Sequence, residues 1–268
     1  MNDIAHVDYS VLDSPEILAR LFHPRSEIEW IEKPENSIEL LIPVEGDVDV
    51  GVRLHMTDKL APNVLFFHGN GEIVSDYNDL GQLYNRIGIN FIAVDYRGYG
   101  RSTGNPSVTS MMSDCHTVFE FIEKWLAQEG YNGGIVVMGR SLGSAPALEL
   151  AHRYGSRIDG LIVESGFAYL GPLLALLGVN TSAMDLRNED RIGNIGKIRS
   201  WEKPLLVIHA ELDHIIPFSD GQELYESCQS SDKTFLAIPE ANHNDILMKG
   251  ITQYVDAVKM LCESAGNS

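Results

Sequence analysis

The feature that most restricts how this chain can fold is a rhythm. Short, predominantly apolar runs recur along it, and between them lie segments of helical period. Asn63–Phe67 (NVLFF) runs into His68-Gly69-Asn70-Gly71, and Asn90–Val94 (NFIAV) runs into Asp95-Tyr96-Arg97-Gly98. Ile135–Met138, Gly160–Val163, Pro204–His209 and Thr234–Ile238 continue the series. A strand with no polar face has to be covered on both sides, and strands alternating with helices need crossovers, which are right-handed. The pattern therefore predicts a mostly parallel central sheet with helices on both faces.

The helical segments are equally legible. Ser75–Ile87 ends at Gly88. In Ser107–Glu129, the residues Val108, Met111, Met112, Cys115, Val118, Phe119, Ile122 and Leu126 recur at three and four, with Gly130 as the stop. Leu142–Tyr154, a stretch near Ser219–Ser230 and Asp245–Cys262 complete the set, and Pro15–Phe22 forms a short helix capped by Ser14. Before the parallel series come two extended stretches. Ser37–Val44 is mostly apolar, and Asp47–His55 alternates, with Val48, Val50, Val52 and Leu54 on one face. A period of two predicts a half-buried antiparallel strand, so these stretches are expected at the sheet edge.

With 268 residues, 44% hydrophobic and 22% charged, one core can serve the whole chain. One departure from the rhythm stands out: residues 166–201 separate two strands by more than a simple crossover needs. They hold an apolar helix candidate, Leu170–Leu177, and a charged stretch, Asp185–Arg199. Such insertions often serve as lids or binding loops, and this one is expected to be a small helical lid within a single domain.

Charge excludes some partners. Twenty basic against 38 acidic residues give a net charge of −18, which repels phosphate backbones and anionic membranes, so no nucleic-acid partner is expected. The three cysteines, Cys115, Cys228 and Cys262, have neither metal-ligand nor redox spacing, and no disulfide framework is evident. The first residues form no signal peptide, and no apolar run is long enough to span a bilayer. Cytoplasmic location, no transmembrane segment and no cofactor or metal are the corresponding expectations.

The chemistry centres on Gly139-Arg140-Ser141-Leu142-Gly143. The five-residue pattern alone is weak, but here a strand precedes it and a helix follows. A sharp strand-to-helix turn strains the serine and exposes its hydroxyl, and glycines two before and two after relieve the crowding. The helix start adds positive potential where an oxyanion would develop. A serine hydroxyl needs a base, and His243, in a polar stretch after the last strand, fits that role. A carboxylate should orient the imidazole. Asp213, after the strand ending at His209, is the best candidate, with Glu164 and Glu211 as alternatives. The amides of Leu142 and of Asn70, with Gly71 next, are the expected oxyanion donors.

HGNGEIVSDY, DYRGYGRSTGNPS, GRSLGSAPALELA, the strand-end Asp213 and NHND together resemble the α/β-hydrolase domain-containing serine hydrolases. The branch that includes protein depalmitoylases and lysophospholipid or monoacylglycerol lipases is the most similar. The resemblance implies an α/β-hydrolase fold, with Ser141, Asp213 and His243 matching the family's triad. The chain departs in two ways. It has no N-terminal cysteine cluster of the kind that attaches some members to membranes, and Arg140 stands where several relatives have glutamine. That arginine is expected to pair with a nearby carboxylate rather than to favour anionic substrates. Arg97 and Arg101 are expected to brace their own loop.

These features predict hydrolysis of a carboxylic ester or thioester, on a small-molecule or acyl-chain substrate. Peptidase or amidase action is the related alternative, and a non-catalytic binding protein on the same fold is the distant one. Haloalkane dehalogenase and epoxide hydrolase chemistry is disfavoured, because those relatives place an aspartate where this chain has Ser141.

Overall fold

A computed structural model of the chain describes residues 8–27, 34, 37–180 and 192–266. Its frame is one eight-stranded sheet in the order β1-β2-β4-β3-β5-β6-β7-β8. The strands are β1 (Ser37–Glu45), β2 (Val48–His55), β3 (Asn63–Phe67), β4 (Asn90–Val94), β5 (Ile135–Arg140), β6 (Gly160–Glu164), β7 (Leu205–Ala210) and β8 (Lys233–Ile238). From β4 to β8 every neighbouring pair is parallel, whereas β1–β2 and β2–β4 are antiparallel. The apolar runs behave as their composition requires: every residue of β3, β4, β6 and β7 is buried.

Helices cover both faces. On one side lie α1 (Pro15–Leu21), α3 (Val108–Glu129), α4 (Ser144–Tyr154), α5 (Leu170–Leu176), α6 (Asn194–Ile198) and α7 (Phe218–Ser227). On the other lie α2 (Asn78–Arg86) and α8 (Ile246–Ala265). All eight stripe residues of α3 are buried. Its ends follow the expected chemistry: the Ser107 hydroxyl accepts from the Ser110 amide at 2.9 Å, and Gly130 takes a left-handed φ of 76°. The predicted 75–87 helix starts as a tight 3-10 turn, Val74–Tyr77, before α2 begins.

One expectation is overturned. β2 is not half-buried, because all of Gly51–His55 is shielded from solvent. The strand is internal to the sheet, flanked by β1 and β4, and the face opposite Val50, Val52 and Leu54 carries buried polar groups. Arg53 is held there by Glu27 at 2.6 Å and by Glu39, and His55 packs against α2 at Gly81. Alternation reported the polarity of that face correctly and its exposure wrongly, since ion pairing allows a charge to be covered.

The 166–201 insertion is described at its two ends; residues 181–191, which include much of the charged stretch, lie outside the described residues. Leu170, Leu173 and Leu174 of α5 enter the core, while Leu176 is exposed. α6 is tied down by the Asn194 amide group donating to the Phe167 carbonyl at 2.9 Å and by a Lys197–Glu149 ion pair at 2.7 Å. Burial works against the Glu149 charge, but His116 and Lys197 outweigh it and hold the carboxyl down at about 2. No helix among the described residues is long and apolar enough to cross a membrane. Cys115, Cys228 and Cys262 are buried free thiols.

Candidate active site

The parallel register brings several strand ends to one edge. Phe67 of β3 pairs with Gly139 of β5, and Arg140 pairs with Glu164 of β6. The chain then turns sharply into α4 through a 3-10 turn, Ser141–Gly143. Ser141 takes φ 53°, in the left-handed region that a non-glycine residue adopts only under strain. The two flanking glycines are required by space. A Cβ at Gly139 would stand 2.1 Å from the Gly143 carbonyl oxygen, and one at Gly143 would stand 2.1 Å from that of Phe67. The buried Ser144 hydroxyl donates to the Ser141 carbonyl at 2.7 Å and fixes the turn from within.

Two further loops meet Ser141. His243 lies after β8, and its Nε2 is 3.1 Å from Ser141 Oγ. Its Nδ1 is 2.7 Å from Asp213 Oδ2, in the loop after β7. The other carboxylate oxygen of Asp213 accepts the amides of Ile215 and Ile216, each at 2.9 Å. Burial opposes the Asp213 charge, but the hydrogen bond from His243 and these amides outweigh it, and the carboxyl stays below its ordinary range. The loops are joined by the Leu212 amide donating to the Ala241 carbonyl at 2.9 Å. Ser141 is 9% exposed and His243 4%, so the site is nearly closed yet still touches solvent.

Neither alternative carboxylate hydrogen-bonds the imidazole. Glu211 is exposed, and Glu164 pairs with Arg140 at 3.1 Å while accepting the Tyr254 hydroxyl at 2.7 Å. Arg140 is also occupied: Glu72 lies 2.9 Å from its Nη1, and the side chain is only 11% exposed. Of its two sequence readings, pairing is what the structure shows. Arg97 binds Asp114 and Glu45, and Arg101 binds Glu39, as braces.

The His68–Gly71 loop sits where β3 ends, beside the elbow. The Asn70 side chain is committed elsewhere, since its Oδ1 accepts the His23 amide at 2.7 Å and the Tyr99 hydroxyl at 2.9 Å. Any oxyanion contact from Asn70 therefore falls to its main-chain amide. The loop is braced from several sides. Glu72 accepts the Gly69 amide at 2.6 Å, Arg25 donates to the Gly71 carbonyl at 2.8 Å, and Tyr96 donates to the His68 carbonyl at 2.7 Å. His23, Arg25, Glu72, Tyr77 and Tyr254 were not singled out by sequence reasoning. Only Glu72 carried a local signal, as a charge three residues after Gly69 in an otherwise neutral turn. A cavity of about 270 Å³ lies away from this constellation, lined by Glu27, Glu39, Arg53 and Arg101 among others.

Comparison with known proteins shows what the chain resembles. The family model described as serine aminopeptidase, S33, matches residues 58–186. Alpha/beta hydrolase domain-containing protein 17B of Homo sapiens is 33% identical over 207 residues, covering 73% of this chain and 64% of that protein. The chain has the α/β-hydrolase fold and is similar to this α/β-hydrolase domain-containing protein over most of its length. Protein 17C of Mus musculus, another α/β-hydrolase, is 32% identical over 203 residues, covering 73% of this chain and 58% of its own length. The chain thus spans less than two thirds of the length of these curated relatives. Solved structures agree on the α/β-hydrolase fold. An esterase of Pyrococcus furiosus superposes with a TM-score of 0.72 at 18% identity, covering 90% of this chain and 98% of that one. A monoglyceride lipase of Saccharomyces cerevisiae gives 0.67 at 16% identity, covering 89% and 99%.

Proposed function

We propose that this α/β-hydrolase is a serine hydrolase that cleaves carboxylic esters or thioesters through an acyl-enzyme intermediate. The observation that carries the reading is the hydrogen-bonded chain from Ser141 Oγ to His243 Nε2 at 3.1 Å and from His243 Nδ1 to Asp213 Oδ2 at 2.7 Å. A strained serine and a buried carboxylate close that chain at its two ends. In this reading Ser141 Oγ attacks the acyl carbon while its proton passes to His243 Nε2. Asp213 holds the imidazole in the tautomer that accepts at Nε2 and stabilises the imidazolium. The amides of Leu142 and Asn70 receive the negative charge on the former carbonyl oxygen. The intermediate collapses, His243 protonates the leaving group, and an acyl–Ser141 ester remains. Water, deprotonated by the same imidazole, releases the acid and restores the hydroxyl.

The esterase and monoglyceride lipase among the similar structures favour ester substrates. The 166–201 insertion is the proposed lid. It leaves the sheet beside the elbow, since Glu164 pairs with Arg140, and it carries the exposed Leu176 near its start. An acyl chain is the substrate portion such a rim suits. Labelling with a fluorophosphonate is the direct test: an adduct is expected on the native protein and none on Ser141→Ala. An unchanged adduct on that variant would remove Ser141 from the mechanism. The family model's description, serine aminopeptidase, supports amide cleavage as the second reading. A panel of p-nitrophenyl esters from acetyl to palmitoyl beside aminoacyl amides separates the two, and preferred turnover of the amides would replace the ester reading.

A further inference from the structure

Arg140 does more than neutralise carboxylates. Its three nitrogens reach three different parts of the chain. Nη1 lies 2.9 Å from Glu72, in the loop after β3, and Nε lies 3.1 Å from Glu164, at the end of β6. Nη2 donates at 2.7 Å to the main-chain carbonyl of His243. The Glu72 carboxylate in turn accepts the Gly69 amide at 2.6 Å and the Tyr77 hydroxyl at 2.6 Å, so it is bound to the loop that holds Asn70. Glu164 is bound from the other side by Tyr254 of α8. The fit is close: a Cβ at Gly69 would stand 2.8 Å from Glu72 Oε2 and 2.9 Å from Arg140 Nη1.

The guanidinium is planar and permanently charged, and its donors point in fixed directions. It therefore transmits position as well as charge. The side chain grows from the residue immediately before the nucleophile, so one rigid group joins the elbow, the Asn70 loop and the His243 loop. We propose that Arg140 is a positioning residue that registers the oxyanion loop against the general base. The two then meet the acyl carbon in one geometry. The idea rests on the serine-hydrolase reading above. Glu72 and Arg140 act on the same step and as one unit.

The experiment uses Arg140→Lys, Glu72→Ala and the double variant, each scored for kcat and KM on a short p-nitrophenyl ester. Competent sites are counted by fluorophosphonate titration, and melting is measured in parallel. Lysine keeps the positive charge between two carboxylates but loses the fork. The expected result for Arg140→Lys is a kcat per titrated site lower by roughly 10- to 100-fold with KM within about threefold, because misplacement of about an ångström costs on that scale. Glu72→Ala should lower kcat in the same direction, and the double variant should be no worse than the poorer single one. A purely structural arginine would lower the melting temperature or the number of competent sites and leave kcat per site unchanged, and that result overturns the proposal. Additive losses overturn the coupling. A rise confined to KM would overturn the positioning role and assign Arg140 to substrate binding instead. If Arg140→Lys does not fold, Glu72→Ala decides alone, and an unaltered kcat there refutes the idea. Ser141→Ala runs as the control: residual turnover in that variant would sink the hydrolase reading itself, whatever Arg140 does.

Discussion

Replacing Gly143 with alanine probes how tightly the elbow is built. Gly143 has φ −63° and ψ −13°, ordinary helical values, so its backbone accepts alanine without strain. The obstacle is space. The added Cβ would stand 2.1 Å from the Phe67 carbonyl oxygen and 2.8 Å from that of His68. Non-bonded carbon and oxygen settle at about 3.3 Å or more, so the two segments must part by about 1 Å. Phe67 is pinned by its parallel partners Val94 and Gly139 on either side, and the elbow therefore yields. Overpacking of this kind costs roughly 1–3 kcal/mol, a melting decrease of about 2–10 °C for a domain of this size. The same displacement carries Ser141 away from His243 and tilts the oxyanion loop. A kcat loss of about 100-fold follows, with KM little changed. Calorimetry and steady-state ester hydrolysis, normalised to titratable sites, measure both effects. An alanine variant that melts within a degree of the native protein and keeps kcat within about twofold would refute the steric account of the elbow.

Two further outcomes are expected. Asp213→Asn keeps an oxygen for the Ile215 and Ile216 amides but disrupts the tautomer required of His243, so kcat should drop by roughly 10³- to 10⁴-fold with the fold intact; a loss under tenfold in the same ester assay would remove Asp213 from that role. Burial, helped by the Arg53 charge, pushes His55 down to about 4. The folded state therefore keeps this ring neutral, while the unfolded chain takes up a proton below about 6.5. Stability should fall as pH drops from about 6.5 towards 4, by up to about 1.4 kcal/mol per pH unit from this residue. Urea unfolding of His55→Leu should show a flatter pH dependence over that window, and an unchanged slope would count against it.

The sequence revealed the sheet, its helices and the meeting of Ser141, Asp213 and His243 for a local reason. Each of these residues sits in a turn whose chemistry is written within five or six positions. The buried polar layer was hidden for the opposite reason. Arg140 meets Glu164 because β5 and β6 align in one register, and Tyr254 reaches Glu164 from 90 residues further along the chain. Periodicity assigned Tyr254 to a helix but carries no record of what its hydroxyl touches. β2 misled in the same way: alternation separates polar from apolar faces, and only the tertiary structure shows that Glu27, Glu39 and α2 close over the polar one.

The contact between Ser141 and His243 spans 102 residues of chain. A ribosome working at about 5–20 residues per second needs roughly 5–20 s to cover that distance. During that interval the elbow can already lie on the strands made before it, with its hydroxyl unassisted by the imidazole. The order of the three residues along the chain thus acts as a timing device. Under the proposed mechanism, nucleophilic power arrives only when β7, β8 and the loop after them have been made and docked, and a nascent or C-terminally shortened chain is expected to carry an inert serine.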